Sequence, residues 1–234
     1  MGRVCVITGA SQGIGRATAI RMSQEPDVSA LVLIARNATG LEETAAAMDR
    51  AGKEVELIAY DLMDLDGIPD LVRRVHERYG SIDILLNIAG YADPQSLLDT
   101  DADNIVKTYT INVFAMLLLI REMARYMYDR PAKILNVAST AGITSRPGWL
   151  AYASSKAAVV SLSATLADEL AGSGIRIYSI SPGRTATELR RKLAPEEDPA
   201  TIMQPSQVAD VIAQLMRDTE VTLDGQNIIV RTRA

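Results

Sequence analysis

Two side chains four residues apart, Tyr152 and Lys156, are the pair most readily put to chemical use. On a helix that spacing stacks them on one face. A phenol donates a proton poorly at neutral pH, with an unperturbed pKa of about 10. A cation held beside it stabilises the phenolate and lowers that value. The pair is therefore a candidate general acid/base near neutrality. Ser139 lies thirteen residues upstream, directly after the apolar run 134–138 that reads as a buried strand. A hydroxyl at the C-terminal end of a strand points into the crevice where open α/β sheets bind ligands. Tyr and Lys at this spacing also occur on many helices that do no chemistry, so the surrounding elements decide the matter.

Those elements belong to a chain of 234 residues, 48% apolar, with a net charge of −5. That is one domain, residues 1–234, with 188–204 set apart as a lid by its charges and prolines. The acidic balance argues against nucleic acid. The longest unbroken apolar stretch, Val113 to Ile120, falls short of a membrane span. The N-terminus enters a strand at once, with no room for a signal peptide, and the single cysteine, Cys5, allows no internal disulfide. A reducing, cytoplasmic location is expected. One Cys and one His cannot build a usual zinc site, and Ser–His nucleophilic catalysis has no base, so no metal is expected. His76 reads as a solvated helix residue. The acidic run 99–103 lacks the Gly and Glu of a calcium loop and reads as a helix N-terminus.

Taken in order, a strand at 3–8 is followed by Gly9, Gly13 and Gly15 and then by a helix from Arg16 to about Gln24. Strand, glycine turn and helix open a dinucleotide-binding unit: the glycines admit a pyrophosphate and the helix N-terminus attracts its charge. A second strand, 30–35, ends at Arg36 and Asn37. An NAD-specific site has an acid there, whereas a guanidinium suits a 2′-phosphate, so NADP(H) is favoured. Strands at 55–60 and 82–86 follow, with helices at 39–51 and 65–79. Asp61 could accept from an adenine amino group or cap the next helix. A long helix at 102–128 carries Asn112 and is apolar nearly all round over 113–120, so it is buried on more than one side. Strands at 133–138, 176–180 and 227–230 and helices at 151–171 and 206–217 complete the chain. This alternation predicts a Rossmann-like, doubly wound α/β fold: a mostly parallel seven-stranded sheet with helices on both faces.

Together Thr8, Gly9, Gly13, Gly15, Asp61, Asn87, Ala89, Gly90, Asn112, Ser139, Tyr152, Lys156, Pro182 and Gly183 stand in the order and spacing of a known family. The chain resembles the short-chain dehydrogenases/reductases, in their compact single-domain branch, over essentially its whole length. Ile88, where a second Asn is frequent, and the missing final Gly-Gly are departures. The resemblance implies that Tyr152 exchanges a proton with a substrate oxygen while NADP(H) exchanges hydride with the carbon. It also implies that Lys156 lowers the Tyr152 pKa and binds the nicotinamide ribose, that Ser139 holds the substrate oxygen, and that Asn112 holds a water. Cofactor contacts are expected from Gly9, Ser11, Gln12, Gly13, Ile14, Gly15, Arg36, Asn37, Asp61, Leu62, Asn87, Ala89 and Gly90. Further contacts are expected from Tyr152, Lys156, Pro182, Gly183, Thr185 and Thr187. The resemblance also implies a homodimer or homotetramer built through the two long helices.

The resemblance implies a small carbonyl or alcohol as substrate, with Ser139, Tyr152, Trp149 and Arg184 expected around it. Arg146, Arg184 and the basic lid residues 190–192 could hold an anionic sugar or polyol phosphate. The C-terminal third is similar to reductase modules of bacterial enzymes that make polyol phosphates. Trp149 and Leu150 suit a neutral ketone or 3-oxoacyl group instead. A nucleotide-binding regulator without turnover is the reading from another class, and the intact Ser139, Tyr152 and Lys156 argue against it.

Overall fold

The computed structural model describes residues 2–232. Strand β1 (Arg3–Thr8) leads into helix α1 (Gly13–Met22). The alternation continues through β2 (Val28–Ala35), α2 (Ala38–Ala46), β3 (Glu54–Ala59), α3 (Ile68–Tyr79) and β4 (Ile84–Asn87). Then come α4 (Ala102–Tyr109) and α5 (Ala115–Met127), β5 (Ala132–Val137), α6 (Leu150–Glu169) and β6 (Ile175–Pro182). A short α7 (Glu188–Leu193), α8 (Pro205–Met216) and β7 (Asn227–Val230) end it. The seven strands form one sheet in the order β3-β2-β1-β4-β5-β6-β7, every neighbouring pair parallel. The expected fold class is the one observed.

Both faces of the sheet are covered, and the strand sequences show why. In β1, Val4 and Val6 enter one apolar layer, with α3, α5 and α6, while Cys5 and Ile7 enter the other, with α1 and α8. Successive side chains of a strand point to opposite faces, so a strand buried on both sides must be apolar at every position.

The expected helix 102–128 is not one regular helix. Residues Thr110–Phe114 form a π turn between α4 and α5. The segment Ala102–Met127 is long and apolar enough to cross a membrane by length and composition, yet it packs in the core, with Leu119 and Met123 fully buried. Asp101 caps α4, its carboxylate accepting from the Asn104 N–H at 2.7 Å, so the acidic run is a helix start. His76 departs from expectation. It stacks on Tyr126 of α5 with ring centroids 4.1 Å apart, and its Nδ1 is buried, because the α3 face it lies on is closed by α5. The lid also differs at its end. Residues 188–201 lie outside the core, but Ile202 and Met203 are buried, and Met203 pairs with Thr185.

Candidate active site

Strand order changes direction between β1 and β4, and a doubly wound sheet opens a crevice at that point. Thr8 pins the two strand ends together. Its hydroxyl accepts from the N–H groups of Ile88 and Ala89 at 3.1 and 3.2 Å. The glycine turn is packed so tightly here that side chains are excluded. A Cβ on Gly9, whose φ is +70°, would lie 2.8 Å from the Ala89 backbone, and one on Gly15 would lie 2.1 Å from the Gly9 carbonyl oxygen. Gln12 leaves the first N–H groups of α1 without a side-chain cap, and no acid occupies the first turn. Such a helix start accepts a phosphate. The cradle thus fits a dinucleotide.

A cavity of about 780 Å³ joins this turn to the chemistry. Arg36, Asn37, Asp61 and Leu62 line one part, and Ser139, Trp149, Tyr152, Lys156 and the lid line another. Of the residues expected in the site, Asn87, Asn112, Leu150, Arg191 and Lys192 do not line this cavity, and all the others do. Asn87 is turned away from it. Its amide donates to Asn136 Oδ1 at 2.9 Å, and Asn136 donates to Ser163 at 3.0 Å, a polar seam between sheet and α6. Both amide protons of Asn112 are engaged, and its oxygen takes one bond. Oδ1 accepts from the Tyr91 N–H at 2.8 Å, and Nδ2 donates to the Tyr91 carbonyl at 2.9 Å and to Ser155 at 3.0 Å. The π turn places it for this brace, and the brace leaves no amide proton for a water. Asn87, Asn112 and Lys156 instead border a second cavity of about 10 Å³, close to the size of one water.

Tyr152 and Lys156 sit in the first two turns of α6, as their spacing requires. Ser139 opens a 3₁₀ turn at Thr140–Gly142, where its hydroxyl accepts from the Ala141 N–H at 3.1 Å. The protonation balance differs from expectation. Burial pushes the Tyr152 phenol up, and only the Ser139 hydroxyl opposes this. Burial also lowers Lys156, to about 8. No carboxylate offsets that desolvation, and Lys156 Nζ donates to the Val137 carbonyl at 2.8 Å.

Arg36 lies 3.9 Å from Asp61, and both are exposed at the β2 and β3 ends. Asp61 Oδ1 accepts from the Met63 N–H at 3.0 Å, so it caps its own turn; Asn37 caps α2 through the Gly40 N–H. The lid's basic cluster is neutralised from within. Glu197 binds Arg190 at 2.6 Å and Arg184 at 3.0 Å, and Glu188 binds Arg191 at 2.5 Å and Lys192 at 4.0 Å. The cavity-lining Tyr60, Glu188 and Leu189 were not legible as site residues, because only the folded lid and strand ends bring them there.

The family model for short chain dehydrogenase matches residues 3–198. The 3-oxoacyl-[acyl-carrier-protein] reductase FabG of Thermotoga maritima is 34% identical, covering 97% of this chain and 95% of its own. The NADP-dependent 3-hydroxy acid dehydrogenase of Schizosaccharomyces pombe is 34% identical over 80% of this chain and 73% of its own. Among solved structures, NAD⁺-bound xylitol dehydrogenase is 28% identical with a TM-score of 0.86, covering 98% of each chain. With the glycine cradle and the Ser139, Tyr152 and Lys156 cavity already in place, these matches make the chain an oxidoreductase that belongs to the short-chain dehydrogenase/reductase family.

Proposed function

We propose that the protein is an NADP(H)-preferring oxidoreductase that interconverts a carbonyl and a secondary alcohol, with Tyr152 as general acid/base. The observation that carries this reading is the single cavity shared by the glycine turn, Arg36, Ser139, Tyr152 and Lys156. The nicotinamide cofactor, when bound, supplies or accepts the hydride. Gly9, Gly13 and Gly15 with the start of α1 hold its pyrophosphate. Arg36 favours a 2′-phosphate, and its neighbour Asp61 leaves room for competition, since one relative is NADP-dependent and one similar structure holds NAD⁺. Pro182, Gly183 and Thr185 line the same cavity and would orient the nicotinamide end, while Thr187 stands against Gly13 of the glycine turn.

The reaction on the chain's side is a proton transfer. Tyr152 donates its phenolic proton to the substrate oxygen in reduction and takes one back in oxidation. Ser139 hydrogen-bonds that oxygen and steadies the charge that develops on it. Lys156, as an ammonium in a low-dielectric site, stabilises the phenolate left behind. The phenolate then regains its proton through Lys156, and a water held in the small cavity beside Lys156 and Asn112 would return a proton to Lys156.

Exposed apolar side chains on the outer face of α4 to α6 support a homo-oligomer through these helices: Ile105, Val106, Phe114 and Leu150 are 44–58% exposed. The experiment that tests the functional reading is NADPH and NADH consumption, side by side, on neutral ketones, 3-oxoacyl thioesters, 3-oxo acids and keto-sugar phosphates. Turnover favouring NADPH supports it; tight NADPH binding with no turnover on any carbonyl would favour the regulator.

A further inference from the structure

We infer that Arg146 is the specificity-determining residue of this site and receives an oxyanion, a carboxylate or a phosphate, on the substrate's far end. The inference rests on the oxidoreductase reading and goes beyond it by naming the class of substrate.

Four guanidiniums line the cavity: Arg36, Arg146, Arg184 and Arg190. Arg36 stands at the β2 end beside Asp61, at the nucleotide part. Arg184 and Arg190 share Glu197. Among the described residues Arg146 has no carboxylate within 4.0 Å and no side-chain hydrogen bond, so this exposed, cavity-lining arginine has its donors uncommitted. The one carboxylate on the lid's cavity wall, Glu188, is itself bound by Arg191 and Lys192 and does not compete. The lid therefore does not carry the anion site that its sequence suggests; the loop before α6 does.

That loop fixes the backbone of Arg146. The Trp149 N–H donates to the Arg146 carbonyl at 3.1 Å, with Pro147 and Gly148 between them and Gly148 at a φ of +79°. This is a type II turn, whose third position requires positive φ and whose second suits proline. The other end of the turn is fixed as well. Trp149 packs edge-on against Tyr152 with ring centroids 5.8 Å apart. The backbone of Arg146 is thus tied through one turn and one aromatic contact to the proton donor. A substrate whose carbonyl lies at Tyr152 and Ser139 and whose other end carries an oxyanion can meet both groups. A guanidinium binds a carboxylate or phosphate through two parallel hydrogen bonds, which also sets orientation.

The test compares anion and neutral partner in two pairs: 3-oxohexanoate with its methyl ester, and dihydroxyacetone phosphate with dihydroxyacetone. Binding is read without cofactor from the emission of Trp149, the only tryptophan in the chain. Turnover is read separately as NADPH oxidation. The anion of at least one pair should saturate at roughly ten- to a hundredfold lower concentration than its neutral partner. That difference should vanish in Arg146→Gln, survive in part in Arg146→Lys, and shrink with added salt because the arginine is exposed. Which pair shows it separates carboxylate from phosphate. Equal binding of anion and neutral partner in both pairs, or a preference that persists in Arg146→Gln, overturns the inference. Anion-selective binding with no turnover leaves Arg146 in its role and counts against the reductase reading instead.

Discussion

Lys156 Nζ stands 5.9 Å from the centre of the Tyr152 ring and gives its hydrogen bond to the Val137 carbonyl, not to the phenol. The two groups are close enough for the ammonium to stabilise a phenolate, yet each is perturbed by burial in the direction of its neutral form. The pH dependence of turnover follows from that. With Lys156 lowered to about 8, carbonyl reduction should fall as pH rises through that value, because the charge that supports the phenolate is lost. Lys156→Arg, which stays charged, should lose that limb whatever activity remains. Stability moves the other way. Between 8 and the ordinary 10.5 the unfolded chain binds this proton and the folded one does not, so the lysine's contribution becomes more favourable as pH rises. Melting curves of wild type against Lys156→Met over that window read the difference.

Arg36 should set cofactor preference. Its guanidinium is 60% exposed and only 3.9 Å from a carboxylate, so an incoming 2′-phosphate has to outcompete Asp61. Arg36→Asp should lower kcat/KM with NADPH by about one to two orders of magnitude and leave NADH little changed. The ratio of the two cofactors at fixed carbonyl is the measurement. An unchanged ratio would remove Arg36 from recognition.

Asn112 is a brace more than a proton carrier. Asn112→Ala leaves the Tyr91 N–H and carbonyl without their partner, at a cost of about 1–3 kcal/mol. Thermal unfolding should shift down by several degrees, and KM should rise because Tyr91 lines the cavity. A variant with unchanged melting and a lower kcat would show the opposite assignment.

Glu197 clamps the lid. Arg190 first, with Arg184, holds its carboxyl below the ordinary range, so the stabilisation is present above the usual carboxylate pKa and fades as the pH falls through the depressed value. Glu197→Gln imitates the protonated state. Trypsin should then cut at 190–192 several-fold faster at neutral pH, and equal rates would mean that the carboxylate does not order the segment.

Much of this is legible in the sequence, and the parts that are not share a cause. Strand, glycine turn and helix are local patterns, so β1 to α1, the alternation and the Tyr152–Lys156 face could be read directly. The π turn at Thr110–Phe114 could not, since residues 113–120 are apolar nearly all round and carry no phase in which an added residue would show. Asn87 stands at a strand end like other site residues, but its partners, Asn136 and then Ser163, are 49 and 76 positions away. Arg184 and Arg190 read as free cations because Glu197, 13 and 7 positions on, reaches them only once the lid folds back. His76 sits in a charged segment, and only the packing of α3 on α5 shows that its ring is covered.

The most direct test of the central claim is Tyr152→Phe, assayed for carbonyl-dependent NADPH oxidation with NADPH binding measured alongside. The substitution removes one oxygen and leaves the ring against Trp149. Turnover should fall by about two to four orders of magnitude while NADPH affinity stays within a few-fold. Retained turnover in this variant would contradict the assignment of Tyr152 as the proton donor.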